Sequence, residues 1–145
     1  MDLKDYIRSI KDYPKKGILF RDITTLIKNE TAFEETINQI VERSKKFKID
    51  KIAAIESRGF VFASAVSFIL KKPFIMLRKK NKLPADVHSV DFELEYGTAT
   101  IEVHKDSISE NDSVLIIDDL IATGGTAEAA AKLVEVSKGN IAAFI

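Results

Sequence analysis

Cysteine is absent from the 145-residue chain, which excludes a disulfide scaffold, a Cys-ligated zinc site and thiol catalysis and favours a cytoplasmic setting. An excess of charge of either sign is missing too, since 22 Lys and Arg residues balance 22 Asp and Glu. That balance speaks against a basic nucleic-acid binder, and 46% hydrophobic residues speak against disorder. The longest uncharged run, Gly59 to Leu70, is 12 residues, short of the ~20 that cross a bilayer as a helix. It reads as a buried helix. The start of the chain, with Asp2, Lys4, Asp5 and Arg8, lacks the apolar core of a secretory signal and is too acidic for a transit peptide. Internal repeats and low-complexity tracts are also lacking. These absences leave a single domain over residues 1–145 with a small-molecule site, no nucleic-acid partner and no membrane partner.

What is present is a succession of short apolar runs. Residues 2–10 read as a short helix broken by Tyr13-Pro14-Lys15-Lys16-Gly17, because Pro14 restricts the residue before it and Gly17 permits a turn. Asn29 or Thr31 can cap a helix in which Phe33, Ile37, Ile40 and Val41 recur at helical spacing, ending in the basic run at Lys45 to Lys48. From residue 51 strands and helices alternate. Ile52 to Ile55, Phe74 to Leu77, Val114 to Ile117 and Ile141 to Ile145 are strand-length apolar runs, separated by helical stretches at Gly59 to Leu70 and Thr126 to Val136. Strands apolar on both faces and separated by helices predict an α/β fold, a parallel sheet flanked by helices with right-handed crossovers.

One segment departs from this pattern. Val90, Phe92, Leu94 and Tyr96 alternate with acidic residues, and after Gly97 the alternation resumes at Ala99, Ile101 and Val103, predicting a hairpin-like excursion that interrupts the sheet. Before it, Lys79 to Ser89 is charged and without apolar period, and is expected to be a flexible loop.

The densest chemistry lies in Val114-Leu115-Ile116-Ile117-Asp118-Asp119-Leu120-Ile121-Ala122-Thr123-Gly124-Gly125-Thr126. A buried strand delivers two carboxylates at its C-terminal end, and a Thr-Gly-Gly-Thr turn opens into a helix, the place where open α/β sheets bind ligands. Backbone N–H groups at a helix N-terminus attract phosphate, glycines allow close approach, and carboxylates accept from ribose hydroxyls. A sugar phosphate fits. A double-glycine turn by itself is equally an ordinary strand-to-helix connection, with the two Asp residues as caps. The string lacks the Lys of a Walker A loop and the G-x-G-x-x-G of a dinucleotide fold.

The whole string resembles the phosphoribosyl-pyrophosphate signature of the type I phosphoribosyltransferases. Four more segments, Tyr13-Pro14 through Gly17-Ile18-Leu19-Phe20-Arg21-Asp22, Glu56-Ser57-Arg58-Gly59-Phe60, Arg78-Lys79 with Lys82-Leu83-Pro84, and Leu94-Glu95-Tyr96-Gly97, are similar in order and spacing to the adenine phosphoribosyltransferase family. The resemblance runs over nearly the whole chain. It implies the type I phosphoribosyltransferase fold with a small N-terminal hood, and a C-terminal tail that continues in the family beyond Ile145.

The resemblance also distributes roles. It implies that Asp118 and Asp119 hold the ribose hydroxyls and that Ala122, Thr123, Gly124, Gly125 and Thr126 cradle the 5′-phosphate. Pyrophosphate falls to Ser57 and Arg58, on a tight loop with a non-proline cis peptide, together with Lys79, Lys82 and, from the neighbouring subunit of a homodimer, Arg78. Taken alone, Arg58 reads as a surface cation and the basic cluster as a solvated loop. Phe20 and Leu120 would sandwich the adenine, with backbone groups near Leu19 and Arg21 reading its 6-amino group, although Phe20 could equally be core. Glu95 looks like a solvated carboxylate on a polar strand face, and only the motif match makes it the group that manages the purine proton, with Tyr96 gating the loop. His88 and His104 have no partner spacing for a metal or a triad.

The reaction implied is adenine plus 5-phosphoribosyl 1-pyrophosphate (PRPP) giving AMP and pyrophosphate, a step of purine salvage. Charge develops on the ribose and the leaving group, so electrostatic alignment by Arg58 and the loop lysines carries the chemistry, with Glu95 as proton handler and Mg²⁺ held through substrate oxygens with no direct protein ligand. A transferase for hypoxanthine or xanthine, and a non-catalytic PRPP sensor, are the rival readings.

Overall fold

The computed structural model describes residues 1–94, 97–120 and 124–145. Contacts divide the chain into two compact units, Met1–Glu42 and Arg43–Ile145.

In the first unit a 3₁₀ turn, Leu3–Tyr6, leads into an antiparallel pair, β1 (Arg8–Lys11) and β2 (Leu19–Asp22). The helix expected over residues 2–10 is therefore confined to one turn, and the rest is strand. The cause is long-range pairing that no local period announces. Asp12 and Gly17 both adopt positive φ, the Gly17 N–H donates to Asp12 Oδ1 at 2.8 Å, and the turn between them folds β2 back onto β1. Asp22 locks the pair: its carboxylate accepts from Arg8 and, at 2.9 Å, from the Thr24 N–H. A short helix α1 (Thr24–Ile27) follows, then α2 (Glu30–Ser44), which starts where the sequence placed it. Asn29 Oδ1 accepts from the Ala32 N–H at 2.9 Å as the cap, and Ile37 and Val41 are buried.

The second unit contains β3 (Lys51–Ile55), α3 (Arg58–Leu70), β4 (Phe74–Lys79), β5 (Val87–Leu94), β6 (Gly97–His104), β7 (Ser113–Ile117), α4 (Gly125–Val136) and β8 (Asn140–Phe144). The six strands form one sheet in the order β5-β6-β4-β3-β7-β8. The β4-β3-β7-β8 part is parallel, as the apolar runs predict, and its two central strands, β3 and β7, bury four consecutive residues each. Ala53, Ile55, Ile75, Leu77, Val114 and Ile116 share a core with Ala129, Ala130, Leu133 and Val134 of α4. Phe62, Ala63 and Val66 of α3 are likewise buried. Each such Val, Leu or Ile contributes about 1.5–3 kcal/mol by leaving water.

The hairpin extends the sheet rather than interrupting it. β6 pairs antiparallel with β4 through Arg78↔Glu102 and Lys79↔Ile101, and β5 completes the edge, so the sheet is mixed. The loop expected over Lys79 to Ser89 shrinks to residues 80–86, since β4 runs to Lys79 and β5 begins at Val87. Polar partners made these strand ends illegible: Ser89 Oγ donates to Glu102, a carboxylate only 7% exposed, where the alternating pattern called for an outward residue.

Candidate active site

Strand order brings the chemistry together. β3 lies between β4 and β7, all three run the same way, and their C-terminal ends are therefore neighbours. From β3 the chain continues into Glu56-Ser57-Arg58, from β7 into Asp118-Asp119-Leu120, and from β4 into the basic turn that carries Lys82. A cleft of about 240 Å³ opens at this edge, lined by Glu56, Ser57, Arg58, Asp118, Asp119 and Leu120, with Gly124 and Thr126 at the start of α4. This is the place where parallel sheets bind ligands.

Asp119 is 7% exposed in its side chain and pairs with Arg58, whose Nε lies 2.9 Å from Oδ2. The Asp119 N–H donates to Asp118 Oδ1 at 2.8 Å. Burial pushes the Asp118 carboxyl up to about 6, and the neighbouring Asp119 carboxyl adds to the shift while Arg58 opposes it. Two adjacent carboxylates thus divide the labour: Asp119 orients the arginine, and Asp118 offers acceptor capacity to the cleft. Gly59 makes this possible. A Cβ there would stand 3.2 Å from Ile117 O and 3.3 Å from Asp118 Oδ1, closer than most side chains tolerate, so the glycine eases the close approach of the first turn of α3 to the end of β7.

The peptide between Glu56 and Ser57 is cis, as the resemblance implied for this loop. At the other wall Gly124 has φ +84° with open space around its α-carbon, and its carbonyl accepts from the Glu128 N–H at 2.9 Å to begin α4. Among the described residues no side chain of the N-cap caps this first turn.

Of the residues singled out in the sequence, Ser57, Arg58, Asp118, Asp119, Leu120, Gly124 and Thr126 line the cleft together. Gly125 opens α4. Arg78, Lys79 and Lys82 reach the cleft through Glu56, which accepts from Arg78 Nε at 3.3 Å, the Lys79 N–H at 2.8 Å and Lys82 Nζ at 2.6 Å. Sequence reasoning quoted Glu56 within a motif and gave it no role. The available signal was a carboxylate directly after four apolar strand residues, where a solvated side chain is out of place. Burial alone would raise its carboxyl, but the bonds from Lys82 and Lys79 and the charges of Lys82 and Arg78 hold it below the ordinary range.

Leu19, Phe20 and Arg21 lie on β2 in the first unit, with the Phe20 ring edge-on to Tyr13 at 5.2 Å and the Arg21 guanidinium donating to Ser9. Glu95, Tyr96, Ala122 and Thr123 lie outside the described residues. His104 Nε2 accepts from the Ala85 N–H at 3.3 Å. Among the described residues no helix is long and apolar enough to cross a membrane.

Comparison with known proteins agrees with this geometry. The model of the phosphoribosyl transferase domain family matches residues 22–142. An adenine phosphoribosyltransferase of Pelagibacter ubique is 85% identical over 145 residues, all of this chain and 83% of that relative. The crystal structure of the adenine phosphoribosyltransferase from Thermoanaerobacter pseudethanolicus superposes with a TM-score of 0.94 at 46% identity, covering 98% of this chain and 83% of that one. The adenine phosphoribosyltransferase of Saccharomyces cerevisiae, solved with adenine and an imino-altritol bisphosphate, gives a TM-score of 0.90 at 34% identity, over 99% of this chain and 86% of that one.

Proposed function

The chain belongs to the adenine phosphoribosyltransferase family, and on that premise we infer that it transfers the phosphoribosyl group of PRPP to adenine, giving AMP and pyrophosphate in purine salvage. The observation that carries this reading is the pair Asp118 and Asp119, set between Arg58 and the N-terminus of α4 at the joined ends of β3 and β7.

Asp118 and Asp119 accept from the ribose hydroxyls, and the turn from Ala122 to Thr126 takes the 5′-phosphate. Ser57, Arg58, Lys79 and Lys82 face the pyrophosphate, with Arg78 serving the site of a neighbouring subunit in a homodimer. As the bond from C1′ to pyrophosphate breaks, negative charge grows on the leaving group beside Arg58 and the lysines, which is where fixed cations lower the barrier most. Leu19, Phe20, Arg21 and Leu120 receive adenine, Glu95 takes up the ring proton that the base sheds as N9 bonds to C1′ and passes it to solvent, and Tyr96 gates entry. These assignments follow the family resemblance together with the cleft residues described above.

The donor set suits a cation carried in by the substrate. Among the described residues no three His, Asp or Glu side chains converge on one point, and Asp119 already engages Arg58. Asp118 is the side chain placed to touch such a cation through the ribose, and Mg²⁺ bound with PRPP supplies neutralisation of the leaving group. The two units are taken to work as one phosphoribosyltransferase domain in the cytoplasm, supported by a family match that runs from one into the other and by the lack of cysteine.

The test is turnover with adenine, hypoxanthine and xanthine competing for PRPP, which should yield AMP alone. Asp118→Asn combined with Asp119→Asn should leave the fold intact and abolish AMP binding by calorimetry, and unchanged affinity would overturn the site. Glu95→Gln should lower kcat by roughly the 10²–10⁴ expected of a proton-transfer group, with Glu93→Gln, two positions earlier in the sequence, nearly silent.

A further inference from the structure

One carboxylate bonds the Arg78 and Lys82 side chains and the Lys79 backbone N–H together. Glu56 is 8% exposed in its side chain and lines the cleft beside Ser57 and Arg58. Its Oε1 accepts from the Lys79 N–H and from Arg78 Nε, and its Oε2 from Lys82 Nζ at 2.6 Å. A second buried carboxylate works from the opposite side: Glu102 accepts from the Asn81 N–H at 2.9 Å and from Ser89. The division between the two is informative. Glu102 fixes the backbone at the tip of the turn, where Asn81 sits at φ 69°. Glu56 holds the side chains of Arg78 and Lys82.

We propose that Glu56 is a positioning residue that stands in for pyrophosphate, holding Lys82 at the cleft and exchanging it with the pyrophosphate group on binding and release. The proposal rests on the reading of Lys82 as a pyrophosphate ligand. Its physical basis is the geometry of the pair. A lysine ammonium is a compact charge on a flexible stem, able to swing between two anions without moving the backbone. Glu56 keeps its bond to the Lys79 N–H throughout, so the exchange never strips the buried carboxylate of all its partners. Each cation released to the ligand must first leave a charge-assisted hydrogen bond, which weakens product binding and hastens its departure.

Calorimetric titration with inorganic pyrophosphate in magnesium buffer tests this on three variants that retain native circular dichroism. Glu56→Gln keeps an acceptor for the Lys79 N–H and removes the charge, and should bind pyrophosphate roughly tenfold tighter, the worth of one charge-assisted bond. Its kcat and its KM for PRPP should fall together, as slow release requires. Lys82→Met should bind pyrophosphate more weakly than the native chain. Glu56→Gln combined with Lys82→Met should lose most of the gain, which a general loss of negative charge would not. Unchanged or weaker binding by Glu56→Gln, with Lys82→Met weakened, overturns the exchange and leaves the pyrophosphate assignment standing. Native affinity in Lys82→Met overturns the assignment and the exchange with it. A structure of the native chain with pyrophosphate gives a check that needs no variant: Lys82 Nζ still bonded to Glu56 would overturn the exchange.

Discussion

Asp118 carries a cost that the fold accepts for the sake of the site. Burial, joined by the adjacent Asp119 carboxyl, pushes its carboxyl from 3.8 up to about 6. Between those values the folded chain keeps a proton that the unfolded chain has released, so stability falls as pH rises through the window and the cost is complete above it. Asp118→Asn removes the titration. The variant should melt about 2–4 °C above the native chain near pH 8, corresponding to about 1 kcal/mol once discounted for partial solvent screening, and should lose that advantage near pH 3.5. Melting curves at both pH values decide it, and an equal shift at each would assign the effect to something other than ionisation. The dyad was legible in the sequence because both residues sit next to the strand that delivers them. Glu56 was not, because the residues that define it lie 22, 23 and 26 positions away.

The β5–β6 hairpin shows at the scale of elements how attachment differs from pairing. Its two strands pair along their whole length, whereas β4 meets it at two register pairs, Arg78↔Glu102 and Lys79↔Ile101, continued by the Lys80 N–H to Thr100 O bond at 3.2 Å. Apolar anchoring makes up the difference, with Val90 and Phe92 packed against the core beside α4 while Leu94 is 52% exposed. Phe92→Ala should therefore cost about 2 kcal/mol and speed amide exchange across both strands, whereas Leu94→Ala should do neither. Hydrogen exchange followed by mass spectrometry reads the contrast, and equal protection in the two variants would show that strand pairing alone holds the hairpin. β3 and β7, buried over four consecutive residues each, were legible because a continuous apolar run admits few alternatives. Residues 2–10 misled because β1 has no buried face of its own and owes its form to Asp22 and to the turn at Gly17. The attachment of β6 to β4 escaped for a similar reason, since the pairing edge is made by Arg78, Lys79 and Glu102.

At the scale of the whole molecule, the homodimer proposed here makes a direct demand on mass. Native mass spectrometry at micromolar concentration should give twice the chain's 16.2 kDa, and a single-chain mass would remove the role given to Arg78 across subunits. Zero formal net charge and 46% hydrophobic residues set the broad class correctly, and strand order placed the cleft once β3, β4 and β7 were recognised as parallel. That order has one more consequence. The groups proposed to grip the ligand leave from three neighbouring strands, whose separation of about 4.8 Å is set by backbone hydrogen bonds and is the same in every sheet. From the end of β4 across β3 to the end of β7 is therefore a span of roughly 10 Å that side-chain substitution does not alter. The sheet acts as a gauge of ligand length: side chains decide which chemical groups are held, and the ladder beneath them decides how far apart those groups must be.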